Sequence, residues 1–303
     1  MKLTPTSNRV LRMMTSKTED APPSGLVIVD KPQGITSHDV VARVRRLAGT
    51  RKVGHAGTLD PMATGILVLG INRATRLLGH LMLTDKTYLA TLRLGQTTTT
   101  DDAEGEILTS VDAGQIKPEE IRQGLAAMVG DIDQRPSSVS AIKVGGQRAY
   151  ARVRAGEQVE LPPRRVRINS IDVIDINGVE VEFKVSCSSG TYIRAIARDL
   201  GEALGVGGHL TSLRRTSVGS FDHGFTLEEL SDDFTMVPIA QAARATFPTV
   251  ELDESMSNDV RVGRKLTLDL GAPGEVALFD PEGTFLALYQ QRDDQAVAVA
   301  VFV

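Results

Sequence analysis

One carboxylate stands apart in this 303-residue chain. Asp60 lies in Gly54-His55-Ala56-Gly57-Thr58-Leu59-Asp60-Pro61, between glycine-rich sequence and a proline. Gly54 and Gly57 permit tight turning or close approach of the backbone to a ligand. The loop leads into the apolar run Ile66 to Leu69, and a loop feeding a buried strand can hold one side chain at a cleft floor. The residues alone leave two readings open: a carboxylate placed for chemistry, or an Asx-type turn residue that bonds local N–H groups. Other catalytic templates are missing. There is no Gly-x-Ser-x-Gly elbow and no His-Glu-x-x-His, and the five histidines show no metal spacing. Gly65 to Gly70 lacks the third glycine of a dinucleotide fingerprint, and Gly205-Val206-Gly207-Gly208 follows a helical pattern; both read as structural. Cys187, the one cysteine, sits in a strand pattern as a small core residue, so neither a disulfide within the chain nor a cysteine zinc cage can form.

The elements that must position Asp60 suggest an α+β fold with a largely antiparallel sheet. Leu26 to Val29 reads as a buried strand ending at Asp30-Lys31-Pro32, and Ser37 as the N-cap of a helix from about His38 to Leu47. Gly65 to Gly70 is a core strand, Asn72 to Leu83 a helix, and Lys86 to Leu94 an alternating strand. Thr97 to Glu106 reads as loop and Lys117 to Met128 as a helix with Pro118 in its first turn. Strands follow at Val166 to Ile174, Val179 to Cys187 and Thr216 to Phe221. A helix from about Thr191 to Leu204 has the apolar stripe Ile193, Ile196, Ala197, Leu200 and Leu204, with Arg194 and Arg198 on its opposite side. The expected organisation is a lead-in over 1–24, a catalytic domain over 25–225, a linker over 226–248 and a small β-rich module over 249–303. The lead-in is expected to be disordered, and Met13 or Met14 could be the natural start.

Charge points to a polyanionic partner despite a formal net charge of -4. From Asp222 onward there are 15 Asp/Glu against 5 Lys/Arg, whereas Met1 to Phe221 holds 29 basic and 23 acidic residues. Local field, not the average, attracts phosphate. The densest basic stretch is 134–167, where Arg135, Lys143, Arg148, Arg152, Arg154, Arg164, Arg165 and Arg167 face only Glu157 and Glu160. It reads as a basic insertion suited to a phosphate backbone, with a short helix near Arg148 to Arg154. The first 24 residues lack the apolar core of a signal peptide, and no apolar run approaches the ~20 residues that span a bilayer. A cytoplasmic protein with no membrane association is expected.

Several segments, taken in order, resemble the TruB family of tRNA pseudouridine synthases. Gly54 to Gly65, GHAGTLDPMATG, is similar to the motif that carries that family's nucleophilic aspartate. Asp30-Lys31-Pro32-Gln33-Gly34 with Thr36-Ser37 resembles its DKPxGxTS segment, and Lys86-Thr87-Tyr88 its K-x-Y motif. Cys187 through Arg194 resembles CSxGTYIR, and His209 through Arg215, HLTSLRR, resembles a segment ending with a substrate-contacting leucine. The likeness runs from about Gly25 to Phe221; the tail more weakly resembles a small PUA-like module of actinobacterial members.

This resemblance implies the pseudouridine synthase fold with an inserted basic thumb, and isomerisation of uridine in the T-arm loop of tRNA at tRNA position 55. The target base must leave its stack to reach a carboxylate, so base flipping is implied. Asp60 is carried over as nucleophile, attacking either sugar C1' or uracil C6, with Arg194 as its ion-pair partner. Tyr88 is carried over as the ring stacked on the base, Tyr192 and Leu213 as pocket lining, and His55 as packing against the reshaped RNA. Lys31 and the insertion, through Arg135, Lys143, Arg148 and Arg152, are expected to hold phosphates. No cofactor and no metal are expected, and the protein is expected to act on tRNA as a monomer. A guide-RNA-dependent synthase and a non-catalytic tRNA-binding or folding protein are the rival readings.

Overall fold

The computed structural model describes residues 23–137 and 161–303, together with the backbone of two short strands at 143–144 and 147–148. The chain opens with β1 (Gly25–Lys31), α1 (Ser37–Leu47), β2 (Val53–His55) and β3 (Thr64–Ile71). A 3-10 turn (Asn72–Arg76) and the single-turn α2 (Leu78–Leu81) lead to β4 (Lys86–Leu94), then β5 (Gln96–Thr98), β6 (Ile107–Ser110), α3 (Pro118–Ala126) and β7 (Gly130–Gln134). β8 (Lys143–Val144) and β9 (Gln147–Arg148) pair as a hairpin. β10 (Arg164–Asn177), β11 (Glu180–Cys187), α4 (Ile193–Ala203) and β12 (Gly208–Val218) complete the main sheet, apart from one edge strand. The rest comprises α5 (Leu227–Asp232), β13 (Val237–Pro238), α6 (Ile239–Thr246), β14 (Thr249–Glu251), α7 (Glu254–Arg261), β15 (Glu275–Phe279), β16 (Phe285–Arg292) and β17 (Gln295–Val301).

The main sheet has nine strands in the order β13-β1-β3-β12-β4-β11-β10-β7, with β2 added on β3. Every pair in it is antiparallel except β3 with β12, so the expected α+β class with a largely antiparallel sheet holds. Strand alternation sends successive side chains to opposite faces. Val27 and Val29 of β1 enter a core shared with α1, α4 and α5, whereas Leu26 and Ile28 enter a second core on the other face. That second core also takes Ala242 and Ala243 of α6 and Ala277, Phe279, Phe285, Leu288 and Phe302 of the C-terminal module. The segment 226–248, expected as a linker, holds the edge strand β13 and two packed helices, α5 in the first core and α6 in the second. Across the same seam His80 Nδ1 lies 2.8 Å from both carboxylate oxygens of Glu275, and Arg73 donates to the Phe302 carbonyl at 3.2 Å. A separate four-stranded sheet, β14-β15-β16-β17, forms the module itself.

Local chemistry explains where the elements differ from expectation. Thr36, not Ser37, caps α1: Thr36 Oγ1 accepts the Asp39 N–H at 3.1 Å and Asp39 accepts the Thr36 N–H at 2.8 Å, a capping box. Ser37 turns inward to bond the backbone of Leu59. The expected helix over Asn72 to Leu83 breaks into the 3-10 turn and α2, with Asn72 at φ 54 redirecting the chain after β3. Of residues 97–106, expected as loop, Thr97 and Thr98 belong to β5, which pairs with β6 just beyond the loop. The strand expected at Thr216 to Phe221 begins earlier, at Gly208, because β12 is a central strand whose polar residues hide its period. The helix expected near Arg148 to Arg154 lies outside the described residues, save that the backbone of Arg148 ends β9. Among the described residues no helix is long and apolar enough to cross a membrane.

Candidate active site

The loop between β2 and β3 carries Asp60, and its shape is set from four directions. Ser37 Oγ, buried at the start of α1, accepts the Leu59 N–H at 2.8 Å and lies 3.0 Å from the Leu59 carbonyl, to which it donates. Leu59 itself sits in the core, so the residue before Asp60 cannot swing. The Gly34 N–H donates to the Pro61 carbonyl at 2.8 Å, and Ala63 N–H to the Asp60 carbonyl at 3.1 Å. From below, Arg215 of β12 donates through Nε to the Ile66 carbonyl at 2.7 Å and through Nη2 to the Gly57 carbonyl at 3.1 Å. Gly65 makes this approach feasible. It pairs in parallel with Arg215 at φ +97, and a Cβ there would stand 2.2 Å from the Arg215 carbonyl oxygen.

Lys31 supplies the fourth restraint. Its ammonium is fully buried and donates to the carbonyls of Ile35 at 2.7 Å, Pro32 at 2.9 Å and Pro61 at 3.3 Å. The group, which the resemblance assigns to a phosphate, is here enclosed and bonded to the segment before α1 and to the catalytic loop. Burial lowers its pKa to about 8, against the opposing pull of the Asp60 carboxylate. Lys31→Met would leave these buried carbonyls short of a donor, which costs about 1–3 kcal/mol each, partly offset by no longer burying a charge. We expect a lower Tm and a lower kcat, with net destabilisation of about 1–3 kcal/mol near neutral pH. Folded Lys31 releases its proton more readily than the unfolded chain, so wild type gains stability relative to the variant between pH about 8 and 10.5. Denaturant melts at pH 7 and pH 9.5 check both statements.

Asp60 projects at the edge of the described fold, its side chain 38% exposed, and pairs with Arg194 at 3.1 Å. Arg194 comes from the first turn of α4. The sequence places it opposite the apolar stripe, where solvent exposure is the ordinary expectation, yet its side chain is only 5% exposed. The reason is a second carboxylate. Arg194 Nη1 lies 3.2 Å from Asp102 Oδ2 and donates to the Thr100 carbonyl at 2.7 Å, while Nη2 serves Asp60. A guanidinium fork suits this geometry, with one cation facing two carboxylates. Asp102 is buried and held by the Thr100 hydroxyl and the Glu104 N–H, the latter at 3.1 Å. Desolvation raises the Asp60 pKa above its ordinary value; Arg194 pulls it down, Asp102 pushes it up, and Lys31 pulls it down. Glu104 is raised as well, by burial and by the Asp102 and Asp60 carboxylates.

Tyr88 and Leu213 lie on neighbouring strands and share one core cluster with Leu59, Met62 and Ile193. Burial pushes the Tyr88 phenol up, and the Arg215 guanidinium beside it pulls it down. Tyr192 is the N-cap of α4 and is partly exposed. His55 lies on β2 opposite Leu69, its ring edge-on to His38 at 5.7 Å. Arg135 follows β7 and is exposed. Arg152 and the side chains of Lys143 and Arg148 lie outside the described residues. Sequence reading missed Asp102 and gave Arg215 no role. Arg215 had a signal only in its place in the HLTSLRR run; Asp102 had none beyond its place in a polar loop.

Residues 45–193 match the TruB family pseudouridylate synthase N-terminal domain. Residues 194–246 match the tRNA pseudouridylate synthase B C-terminal domain, and 247–303 the C-terminal domain of tRNA pseudouridine synthase II. A protein of Streptomyces griseus subsp. griseus named tRNA pseudouridine synthase B is 54% identical over 291 residues, covering 92% of this chain and 97% of the relative. One of the same name from Thermobifida fusca is 54% identical over 288 residues, covering 92% and 98%. Among solved structures, an H/ACA RNP bound to a substrate RNA containing 2'-deoxyuridine superposes with a TM-score of 0.70 at 25% identity, covering 92% of this chain and 85% of the other. A Cbf5-Nop10-Gar1 complex gives 0.70 at 28% identity, covering 91% and 83%. With relatives above half identity along nearly the whole chain, and the motif aspartate paired to a buried arginine, the chain belongs to the TruB family of pseudouridylate synthases.

Proposed function

We propose that this chain isomerises uridine to pseudouridine at position 55 in the T-arm loop of tRNA, without guide RNA. The observation that carries the reading is the Asp60 carboxylate, exposed at the end of a loop braced on four sides and paired at 3.1 Å with the buried Arg194. The net reaction breaks the N1–C1' bond, forms C5–C1', moves a proton off C5 and places one on N1. Atoms and electrons balance within the nucleotide, so a nucleophile and a proton path suffice in principle. Asp60 attacks C1' or C6 as an ionised carboxylate, which opens the way to glycosidic cleavage and rotation of the base. The base reaches it by flipping out of the stack. Tyr88 stacks on it, Leu213 and Tyr192 line the pocket, and His55 packs against the reshaped RNA. Arg135, Lys143, Arg148 and Arg152 hold the phosphate backbone. The catalytic domain is taken as 25–225, with 249–303 as the PUA-like module, and the working unit as a cytoplasmic monomer.

A guide-dependent reading draws on two structural neighbours named as H/ACA complexes, at 25% and 26% identity. The curated relatives at 54% identity weigh more, since they are named as tRNA enzymes. The test is incubation of purified protein with an unmodified T-arm stem-loop, no other protein or RNA added, followed by mapping of pseudouridine. One modified uridine, at position 55, is expected. Absence of product, with product restored by a guide RNA and accessory proteins, would reverse the choice.

A further inference from the structure

Two sets of hydrogen bonds tie the end of β7 to the helix that carries Arg194. Gln134, the last residue of β7 and 2% exposed, turns its side-chain amide onto the backbone of Tyr192. Nε2 donates to the Tyr192 carbonyl at 3.0 Å and Oε1 accepts the Tyr192 N–H at 2.8 Å. Tyr192 is the N-cap of α4 and makes no side-chain cap of its own, so this amide fixes the peptide planes two residues before Arg194. One turn beyond Arg194, Arg198 spreads across three partners. Nη2 donates to the Arg135 carbonyl at 2.7 Å, Nη1 to Asp101 Oδ2 at 3.3 Å and Nε to Asp199 Oδ1 at 2.8 Å. Asp101 adopts φ 58, gives its carbonyl to the Leu210 N–H at 3.0 Å, and immediately precedes Asp102.

Arg194 thus lies between two anchors, one at Gln134 and the other at the adjacent Arg135, where β7 ends. One anchor also grips the loop that supplies the second carboxylate. The stripe of Ile193, Ile196 and Leu200 already buries α4 on the sheet, each large residue contributing about 1.5–3 kcal/mol. Helix formation does not require the two polar anchors, and their cost in ordered side chains calls for another account. We propose that Gln134 and Arg198 are positioning residues, which hold the end of β7 in register with the ion triad of Asp60, Arg194 and Asp102. Displacement of β7 by bound RNA is then felt at the cation that faces the catalytic carboxylate. The proposal rests on Asp60 being that carboxylate.

The charged groups that face Asp60 are Arg194, Asp102, Lys31 and Glu104, and only the first two are registered by these anchors. A shift of Arg194 away from Asp60 should therefore raise the Asp60 pKa and move the acid limb of kcat to higher pH. Arg198→Met is the first variant, because Arg198 is at the protein edge, with a side chain 22% exposed. At saturating T-arm stem-loop RNA its kcat should fall about 10- to 100-fold, as small misplacements near a reacting centre do. Its acid limb should move up, and RNA affinity, measured in an Asp60→Asn background, should not change. Arg198→Lys, which restores a cation near Asp101, should recover part of the kcat. If Arg198→Met does not fold by circular dichroism, Gln134→Glu decides on the same readouts: it keeps the acceptor for Tyr192 N–H and loses the donor. Wild-type kcat, a loss confined to RNA affinity, or a lower kcat with an unmoved acid limb would each overturn the proposal. Asp60→Asn runs alongside: activity there would defeat the reading beneath the proposal, whereas an inactive Asp60→Asn with a normal Arg198→Met defeats the proposal alone.

Discussion

Asp60→Asn should abolish pseudouridine formation and leave tRNA binding intact. The substitution keeps shape and removes the nucleophilic oxygen, and loss of a nucleophile typically costs roughly four to six orders of magnitude in kcat. The fold should not suffer. Arg194 retains the Asp102 carboxylate at 3.2 Å and the Thr100 carbonyl at 2.7 Å, so no buried cation is left uncompensated. Desolvation holds the Asp60 pKa above that of a free aspartate. Both folded and unfolded chains are protonated at low pH; as pH rises the unfolded chain ionises first, so Asp60 loses stability for the fold through that window. At neutral pH the asparagine variant should melt at the same or a higher temperature than wild type, the usual balance between stability and activity at a catalytic group. RNA affinity should hold or tighten, since a negative charge facing phosphate is gone. Single-turnover assays, filter binding and thermal melts check the three statements. Turnover within tenfold of wild type would remove Asp60 from the chemistry.

Sequence and structure divide the site in an instructive way. The residues legible in sequence are those whose type is unusual for its surroundings or whose motif is local: Asp60 between glycine and proline, Tyr88 in an alternating strand, Arg194 in the CSxGTYIR-like run. What periodicity could not convey was burial. Arg194 falls off the apolar stripe of α4, and only the approach of the 98–106 loop encloses it, through Thr100 and Asp102. Lys31 reads as a surface cation beside a turn, yet the carbonyls of Pro32, Ile35 and Pro61 converge on it because α1 and the catalytic loop close over the end of β1. Ser37 looked like a cap because it precedes an apolar helix; Thr36 caps instead, which frees Ser37 to clasp Leu59. Each case includes a contact between residues more than twenty apart, such as Lys31 with Pro61 and Ser37 with Leu59, which a pattern along the chain does not encode. The same holds for Arg215, whose partners at Gly57 and Ile66 lie on the far side of the parallel pairing of β12 with β3.

Arg194→Gln should impair catalysis more than any other change that spares Asp60, and should do so in a pH-dependent way. Removing the guanidinium takes the cation from Asp60 at 3.1 Å and from Asp102 at 3.2 Å together. Asp102 is 3% exposed, so its unpaired charge would cost about 3–5 kcal/mol unless it takes up a proton. Asp60 loses the strongest influence that lowers its pKa, while desolvation remains. An opposite charge within reach favours the ionised carboxylate, so its loss should move the acid limb of kcat to higher pH. Loss of a preorganised charge at a reacting centre typically lowers kcat about 100- to 1,000-fold. Arg194→Lys should not rescue fully, because one ammonium cannot serve two carboxylates and the Thr100 carbonyl in a fork. The double variant Arg194→Met with Asp102→Leu separates the two roles: an apolar pair of similar volume should restore much of the lost stability, as replaced buried ion pairs often do. It should not restore kcat, because Asp60 then faces no guanidinium. Recovery of activity along with stability would mean that Arg194 serves the fold alone. A kcat loss with the acid limb in place would mean that it acts on substrate and not through the Asp60 carboxylate.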